Sequence, residues 1–242
     1  MSANPSKTVI VTGAAKGLGL AIAQILADKG YFVLGIGRSL SDDFAALPEH
    51  LRAFIEYDLT DIAGIPDLVK RIAAESPAPI YGLVNNAGVG LDGTLATQHA
   101  SDISRVLTLN LEAPITLSKY VVRQMLRQRE GRIVNITSII ASTGFKGLAV
   151  YGATKAGLEG FTRSFSREVG QAGITVNCVA PGYMLTDMTA GLEGPKLESI
   201  KRRAPLGLPE THHAAHAVTY LLEPGAAKTT GTVITVDGGS TA

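Results

Sequence analysis

Tyr151 and Lys155 stand four residues apart in a stretch of helical character, a spacing that puts both side chains on one helix face. A free tyrosine titrates near about 10, and a neighbouring ammonium favours the phenolate, so the pair is expected to draw a phenol toward working pH as an acid-base catalyst. Ser138 follows a short Val/Ile-rich run. Parallel sheets bind ligands just past their strand ends, and a hydroxyl there can hydrogen-bond a carbonyl oxygen. Taken alone, Tyr151 and Lys155 read more readily as an amphipathic helix with a snorkelling lysine; Ser138 and Asn110 move the balance toward chemistry.

A second motif bears on anion binding. Thr12-Gly13-Ala14-Ala15-Lys16-Gly17-Leu18-Gly19 lies between a β-branched run, Thr8 to Thr12, and a helical pattern, Gly19 to Lys29. A loop in that place offers helix N–H groups to a phosphate, and glycines let the backbone come close. The spacing is G-x-x-x-G-x-G, not G-x-G-x-x-G. The chain carries 27 glycines, which directs attention to sites built from backbone.

Strand and helix must alternate to position these groups. Tyr31 to Ile36, Ala53 to Tyr57, Gly82 to Val84, Arg132 to Thr137, Ile174 to Val179 and Thr232 to Val236 read as further strands. Ile62 to Ala74, Ser101 to Arg127, Tyr151 to Gln171 and Thr211 to Leu222 read as helices. Strands apolar on both faces and separated by helices require a parallel sheet covered on both sides, so the expected fold class is α/β, a doubly wound parallel sheet of Rossmann type. There is no internal repeat and no Ser/Gly/Pro linker, and residues 1–242 are expected to form one domain. Gly191 to Pro195 and Pro205 to Pro209 bracket a helix-sized insertion.

Composition narrows the classes. Lys plus Arg number 22 against 21 Asp plus Glu, and a net charge of +1 removes the electrostatic reason to expect nucleic acid or an anionic membrane as partner. With hydrophobic residues at 45% the chain is not disordered, and no apolar run approaches the ~18 residues of a spanning helix. Cys178 is the single cysteine and Met1 to Lys7 lacks the apolar segment of a secretory signal, which points to a reducing, cytoplasmic compartment.

The glycine loop, Asn85-Asn86-Ala87-Gly88, Asn110, Ser138, Tyr151-x-x-x-Lys155 and Pro181-Gly182 together resemble the short-chain dehydrogenase/reductase family in order and spacing, from Thr8 to Gly239. The resemblance implies a nicotinamide-dependent carbonyl reductase in which Tyr151 protonates the carbonyl oxygen, Ser138 hydrogen-bonds it, Lys155 binds the nicotinamide ribose and Asn110 holds a water. For the cofactor it implies contacts from Gly13, Ala15, Lys16, Gly17, Leu18 and Gly19. Asp58 and Leu59 would meet the adenine, and Asn86, Ala87 and Gly88 the adenosine ribose. Pro181, Gly182, Met184 and Thr186 would complete the set. Asp58 also reads as a helix cap. Gly37-Arg38 stands where NAD-using relatives carry an aspartate, so Lys16 and Arg38 point to NADP(H).

Within the family the chain resembles 3-oxoacyl-[acyl-carrier-protein] reductases, in Asn177 to Met188 and in Val236-Asp237-Gly238-Gly239. This implies a 3-oxoacyl thioester substrate, a role in fatty acid biosynthesis and an acyl carrier protein as partner, met by a stripe of Arg123, Arg127, Arg129 and Arg132. It departs from that group at Ala172, where a basic residue is common, and in the short Pro205 to Pro209 segment. A free ketone, secondary alcohol, steroid or polyol is the alternative substrate, and a non-catalytic nucleotide-binding scaffold is the alternative class. Gly144, Phe145, Tyr183, Met184 and Leu185 are expected at an apolar substrate pocket. A homotetramer is expected through Ser101 to Arg127 and Tyr151 to Gln171, with Val106, Leu109, Leu158 and Phe161 as apolar contacts, and through the last strand. His212, His213 and His216 have helical spacing but no third ligand type, so a solvated helix face is expected there and no metal. Cys178 is expected to be buried and inert.

Overall fold

The computed structural model describes residues 5–184 and 194–242. Seven strands form one parallel sheet in the order β3-β2-β1-β4-β5-β6-β7, comprising β1 (Thr8–Thr12), β2 (Phe32–Gly37), β3 (Arg52–Glu56), β4 (Ile80–Asn85), β5 (Gly131–Ile136), β6 (Ile174–Pro181) and β7 (Val233–Val236). The chain winds outward from β1 through β2 to β3, then returns to the centre and winds the other way from β4. Such a reversal leaves a crevice at the carboxyl ends of β1 and β4, where doubly wound sheets bind ligands.

The strands are apolar on both sides because each face carries its own helical layer. Against one face pack α3 (Ile65–Glu75), α5 (Ala113–Gln128) and α7 (Ala149–Val169), joining Ile10, Leu34 and Ile133 in one core. Against the other lie α1 (Gly17–Asp28), α2 (Asp42–Ala45) and α9 (Thr211–Leu222), with Val9, Val11 and Val134. The alternation of Val9, Ile10 and Val11 between the two cores is the period-two geometry of a strand. Shorter helices α4 (Ala100–Leu107), α6 (Ile140–Thr143) and α8 (Pro195–Arg203) border the crevice. Among the described residues no helix is long and apolar enough to cross a membrane.

Several expected helices differ from their sequence reading. Ser101 to Arg127 is not continuous: α4 gives way to a π-helical turn, Thr108–Glu112, before α5. Pro114 lies in the first turn of α5 and has no N–H to return to the carbonyl of Asn110, so the regular ladder fails there and one wider turn intervenes. Ile62 to Ala74 likewise starts late, at Ile65, with Pro66 in its first turn and the Asp61 carboxylate accepting from Gly64 N at 3.1 Å. Conversely the first helix begins at Gly17, two residues early. Leu185 and Thr186, with the rest of that stretch to Met188, lie outside the described residues.

Candidate active site

The glycine loop is held open by its neighbours rather than by itself. Thr12 ends β1, and its Oγ1 accepts from Asn86 N and Ala87 N, both at 2.9 Å. Asn86 Nδ2 in turn donates to Thr12 O at 2.9 Å. The loop after β4 is thus stitched to the loop after β1. Gly13 has φ +66°, and a Cβ there would sit 3.0 Å from Asn86 Nδ2. Gly17 is the opposite case: φ is +56° but nothing lies within 4 Å of its absent Cβ, so its open side faces the crevice. Gly19 does not line the crevice as expected. A Cβ on it would stand 2.1 Å from Gly13 O, so its smallness serves the packing of α1 under the loop. Ser41 was not singled out from sequence, yet its hydroxyl donates to Ala15 O at 2.5 Å and accepts from Phe44 N as the cap of α2. A serine followed by Asp42-Asp43 was the available signal for that cap.

The crevice is one cleft of about 1720 Å³. Its cofactor-sized half brings together Gly13, Ala15, Lys16, Gly17, Leu18 and Arg38 with Asp58, Leu59, Asn86, Ala87 and Gly88. Asp58 Oδ1 accepts from Thr60 N at 2.9 Å and Thr60 Oγ1 at 2.8 Å, and these bonds, with the Arg38 and Arg105 charges, hold its carboxyl below the usual range. Asp58 caps a turn there and not α3, whose first turn Asp61 serves through Gly64.

Ser138, Tyr151, Lys155, Pro181, Gly182 and Met184 line the same cleft. Lys155 Nζ lies 5.5 Å from the Tyr151 ring centre and donates to Ile136 O at 2.7 Å. Burial pulls the Lys155 ammonium down to about 8. The expectation that this ammonium would lower the Tyr151 phenol is not met. Burial raises Tyr151 above its ordinary value, and the only opposing influence is the hydrogen bond with Ser138. Spacing alone shows the pairing of Tyr151 with Lys155 but not the burial of the phenol, and it is that burial which sets the direction here. Asn110, 1% exposed in the π-helical turn, does not line the cleft. Its amide brackets the backbone of Val89, donating to Val89 O and accepting from Val89 N, both at 2.8 Å, and reaches Thr154 Oγ1 at 3.4 Å, beside Lys155.

The cleft is also lined by Ile139, Ile140, Phe145 and Leu148 from the start of α6 and the segment leading into α7, and by Ile200, Arg203 and Leu208 from α8 and the segment after it. Gly144, Phe145, Tyr183 and Met184 also line the cleft.

Elsewhere the structure redistributes the remaining side chains. Arg132 is 3% exposed, sits 5.3 Å over the Tyr81 ring and donates to Gly131 O, so it leaves the surface stripe. Arg129, in left-handed conformation at the end of α5, donates to Gln171 O, and Arg123 lies over Tyr120. Of the four arginines expected in the stripe, Arg132 is buried while Arg123, Arg127 and Arg129 remain exposed. Val106 and Leu158 are buried inside the protomer, and Leu109 and Phe161 pack on its core. His213 Nδ1 accepts from Glu210 N and caps α9, while His212 lies 3.4 Å from the Glu210 carboxylate. Cys178 is buried, donates to Thr162 Oγ1 at 3.1 Å, and burial pushes its thiol up to about 12.

This geometry has relatives. The family description "short chain dehydrogenase" matches residues 7–196. The chain belongs to that family. It is 39% identical over 237 residues to the 3-oxoacyl-[acyl-carrier-protein] reductase FabG of Escherichia coli, covering 96% of each chain. It is 38% identical over 240 residues to the protein of the same name from Pseudomonas aeruginosa, again covering 96% of each. Among solved structures, a protein of Agrobacterium tumefaciens provisionally named a gluconate dehydrogenase superposes with a TM-score of 0.91 at 27% identity, covering 99% of this chain and 98% of that one. As a short-chain dehydrogenase the protein is an oxidoreductase acting on CH–OH/C=O groups with a nicotinamide cofactor. The cleft fits that cofactor on its own terms: Gly17 leaves an open face at the N-terminus of α1, a helix end suited to a pyrophosphate.

Proposed function

We propose that the protein reduces the ketone of a 3-oxoacyl thioester with NADPH. The observation that carries this reading is the convergence of Ser138, Tyr151 and Lys155 on the same cleft as the open glycine loop. When bound, the nicotinamide supplies the hydride for the carbonyl carbon. Tyr151 gives its phenolic proton to the carbonyl oxygen as the C=O bond becomes C–OH, and a phenol kept protonated by burial is in the right state to do so. Ser138 donates a hydrogen bond to that oxygen. Lys155 holds the ribose hydroxyls and recharges the phenolate. Asn110 keeps the Val89 segment in place beneath Gly88, and carries the water we assign between Lys155 and solvent.

Preference for NADPH rests on Lys16 and Arg38, which line the adenosine end, and on the absence of any carboxylate at Gly37-Arg38. The thioester is supported by the similarity to 3-oxoacyl-[acyl-carrier-protein] reductases and by the apolar wall of Ile139, Ile140, Phe145 and Leu148. A homotetramer belongs to the same reading, with exposed Leu107 on α4 and Leu126 on α5 as apolar surface in place of the four residues picked from sequence. Light scattering at one chain mass would refute it. The cytoplasmic compartment is likewise part of the proposal, with Cys178 kept as a thiol. Kinetics with acetoacetyl-CoA, ethyl acetoacetate and a simple cyclic ketone, each with NADPH and NADH, test the function. Preference for the cyclic ketone would transfer the reading to a free-ketone dehydrogenase, and no turnover with any of them to a nucleotide-binding scaffold.

A further inference from the structure

Burial takes Arg132 out of the surface arginine stripe, and a second set of cations lies in the cleft. Lys16, Arg38 and Arg105 lie with Asp58 at the adenosine end. Beside Tyr151 the Lys155 ammonium is buried and donates to Ile136 O, and the exposed cation of the cleft beyond it is Arg203, on the last turn of α8. The helix presents Ile200 and Arg203 to the cleft three residues apart, one buried and one exposed. The neighbouring Lys201 points its ammonium at Glu198, 2.9 Å away. Arg203 makes no hydrogen bond or ion pair with a described residue. The carboxylates of the same region do not neutralise it by contact: Asp237 accepts from Gly239 N, Ser240 Oγ, Thr241 N and Thr241 Oγ1 at 2.7 to 2.9 Å, and Asp92 forms no ion pair among the described residues.

We infer that Arg203 is the specificity-determining residue for an anionic group carried by the substrate at a distance from its reacting ketone. The cleft combines the apolar Ile139, Ile140, Phe145 and Leu148 with a buried Lys155 that is already hydrogen-bonded and an exposed Arg203 on α8, and it suits a molecule with an apolar or neutral reacting end and a phosphate or carboxylate beyond it. A guanidinium binds either oxyanion through paired N–H donors. The shared chemistry has two sources. One is the phosphate at the end of a pantetheine arm, which rests on the thioester reading above. The other is the carboxylate of an oxo acid, in keeping with the structural neighbour's provisional name.

The experiment compares substrates that share a ketone and differ in charge. Acetoacetyl-CoA is set against acetoacetyl-N-acetylcysteamine, a thioester without phosphate, and 5-oxogluconate against its methyl ester, for the parent, Arg203→Gln and Arg203→Lys. A charged hydrogen bond contributes about 1.5 to 3 kcal/mol, so kcat/KM for the anionic member of the used pair is expected to fall roughly 10- to 100-fold in Arg203→Gln, mostly through KM. The uncharged member should change less than about twofold, and Arg203→Lys should recover part of the loss. Added salt should weaken the parent's preference for the charged member and leave Arg203→Gln unmoved. An equal fall for charged and neutral members, or no fall for either, overturns the inference. If neither acetoacetyl thioester is reduced, the thioester reading fails while the oxo-acid pair still decides the role of Arg203. If ketones of both pairs are reduced without any preference for charge, the inference fails and the reductase stands.

Discussion

The two halves of the cleft are built differently. The cofactor half is backbone: loops after β1 and β4 stitched through Thr12 and Asn86, and a glycine at φ +56° whose open side faces the ligand. The substrate half is side chain: Ile139, Ile140, Phe145, Leu148, Ile200, Arg203 and Leu208 line it. Backbone sites demand particular residues at fixed spacing, because few side chains tolerate positive φ or close approach. Walls of side chains accept many substitutions of similar volume. The first half therefore writes a motif into the sequence and the second writes only a composition.

The hardest blow to the chemistry between the halves is Tyr151→Phe. Positioned proton transfer contributes about 10²- to 10⁴-fold, so kcat should drop by that order while the Kd for NADPH stays within about twofold. Single-turnover reduction followed by nicotinamide absorbance measures it. A near-parental kcat in a folded variant would remove Tyr151 from the reaction.

Lys155 serves function at the expense of the fold, and this can be measured without substrate. Its ammonium titrates near 8 in the folded chain against 10.5 ordinarily. A lowered lysine means the unfolded chain binds more protons between those values, so this group's contribution to stability rises with pH across about 8 to 10.5 and is fully unfavourable below 8. The penalty at pH 7 is on the order of 3 kcal/mol. Lys155→Met removes it but leaves Ile136 O without its donor, which offsets about 1 to 2 kcal/mol. The cofactor-free variant should thus melt a few degrees above the parent at pH 7, and the gap should close toward pH 10. A variant less stable at pH 7 would show that the lysine is well solvated after all.

At the backbone end, Arg38→Ala sharpens the comparison. Loss of one charged contact of about 1.5 to 3 kcal/mol should raise the Kd for NADPH at least tenfold and leave that for NADH nearly unchanged. Fluorescence titration with both cofactors reads the split. Equal Kd values in the parent would refute the assignment before any variant is made.

What was legible in the sequence follows the same division. The strands and the doubly wound class could be read because Val/Ile runs alternate with helical periods, and the cofactor half because glycines and asparagines sit at rigid positions. Where Pro114 interrupts Ser101 to Arg127, the signal was present but weaker than the apolar period around it. Burial was the hidden quantity elsewhere. Spacing puts Lys155 beside Tyr151 but says nothing of how far each is from water, and so the direction of the Tyr151 shift was misjudged. The same holds for Arg132, whose place in a charged run concealed a side chain lying over Tyr81.

The arginine run supplies the smallest expected effect. With Arg132 buried, the run retains Arg123 over Tyr120, exposed Arg129 donating to Gln171 O, and Arg127 in the last turn of α5, where a cation favours the helix C-terminus by roughly 0.3 to 1 kcal/mol. Arg127→Ala should therefore lower stability slightly and change kcat/KM for a 3-oxoacyl carrier-protein substrate less than about twofold, a difference compatible with a screened, exposed charge. Steady-state kinetics at low and high salt check this, with Arg203→Gln as the contrasting variant. A loss of tenfold or more in Arg127→Ala, abolished by salt and absent with acetoacetyl-CoA, would restore the α5 surface as the carrier's landing site and make recognition a property of the protein surface instead of the cleft.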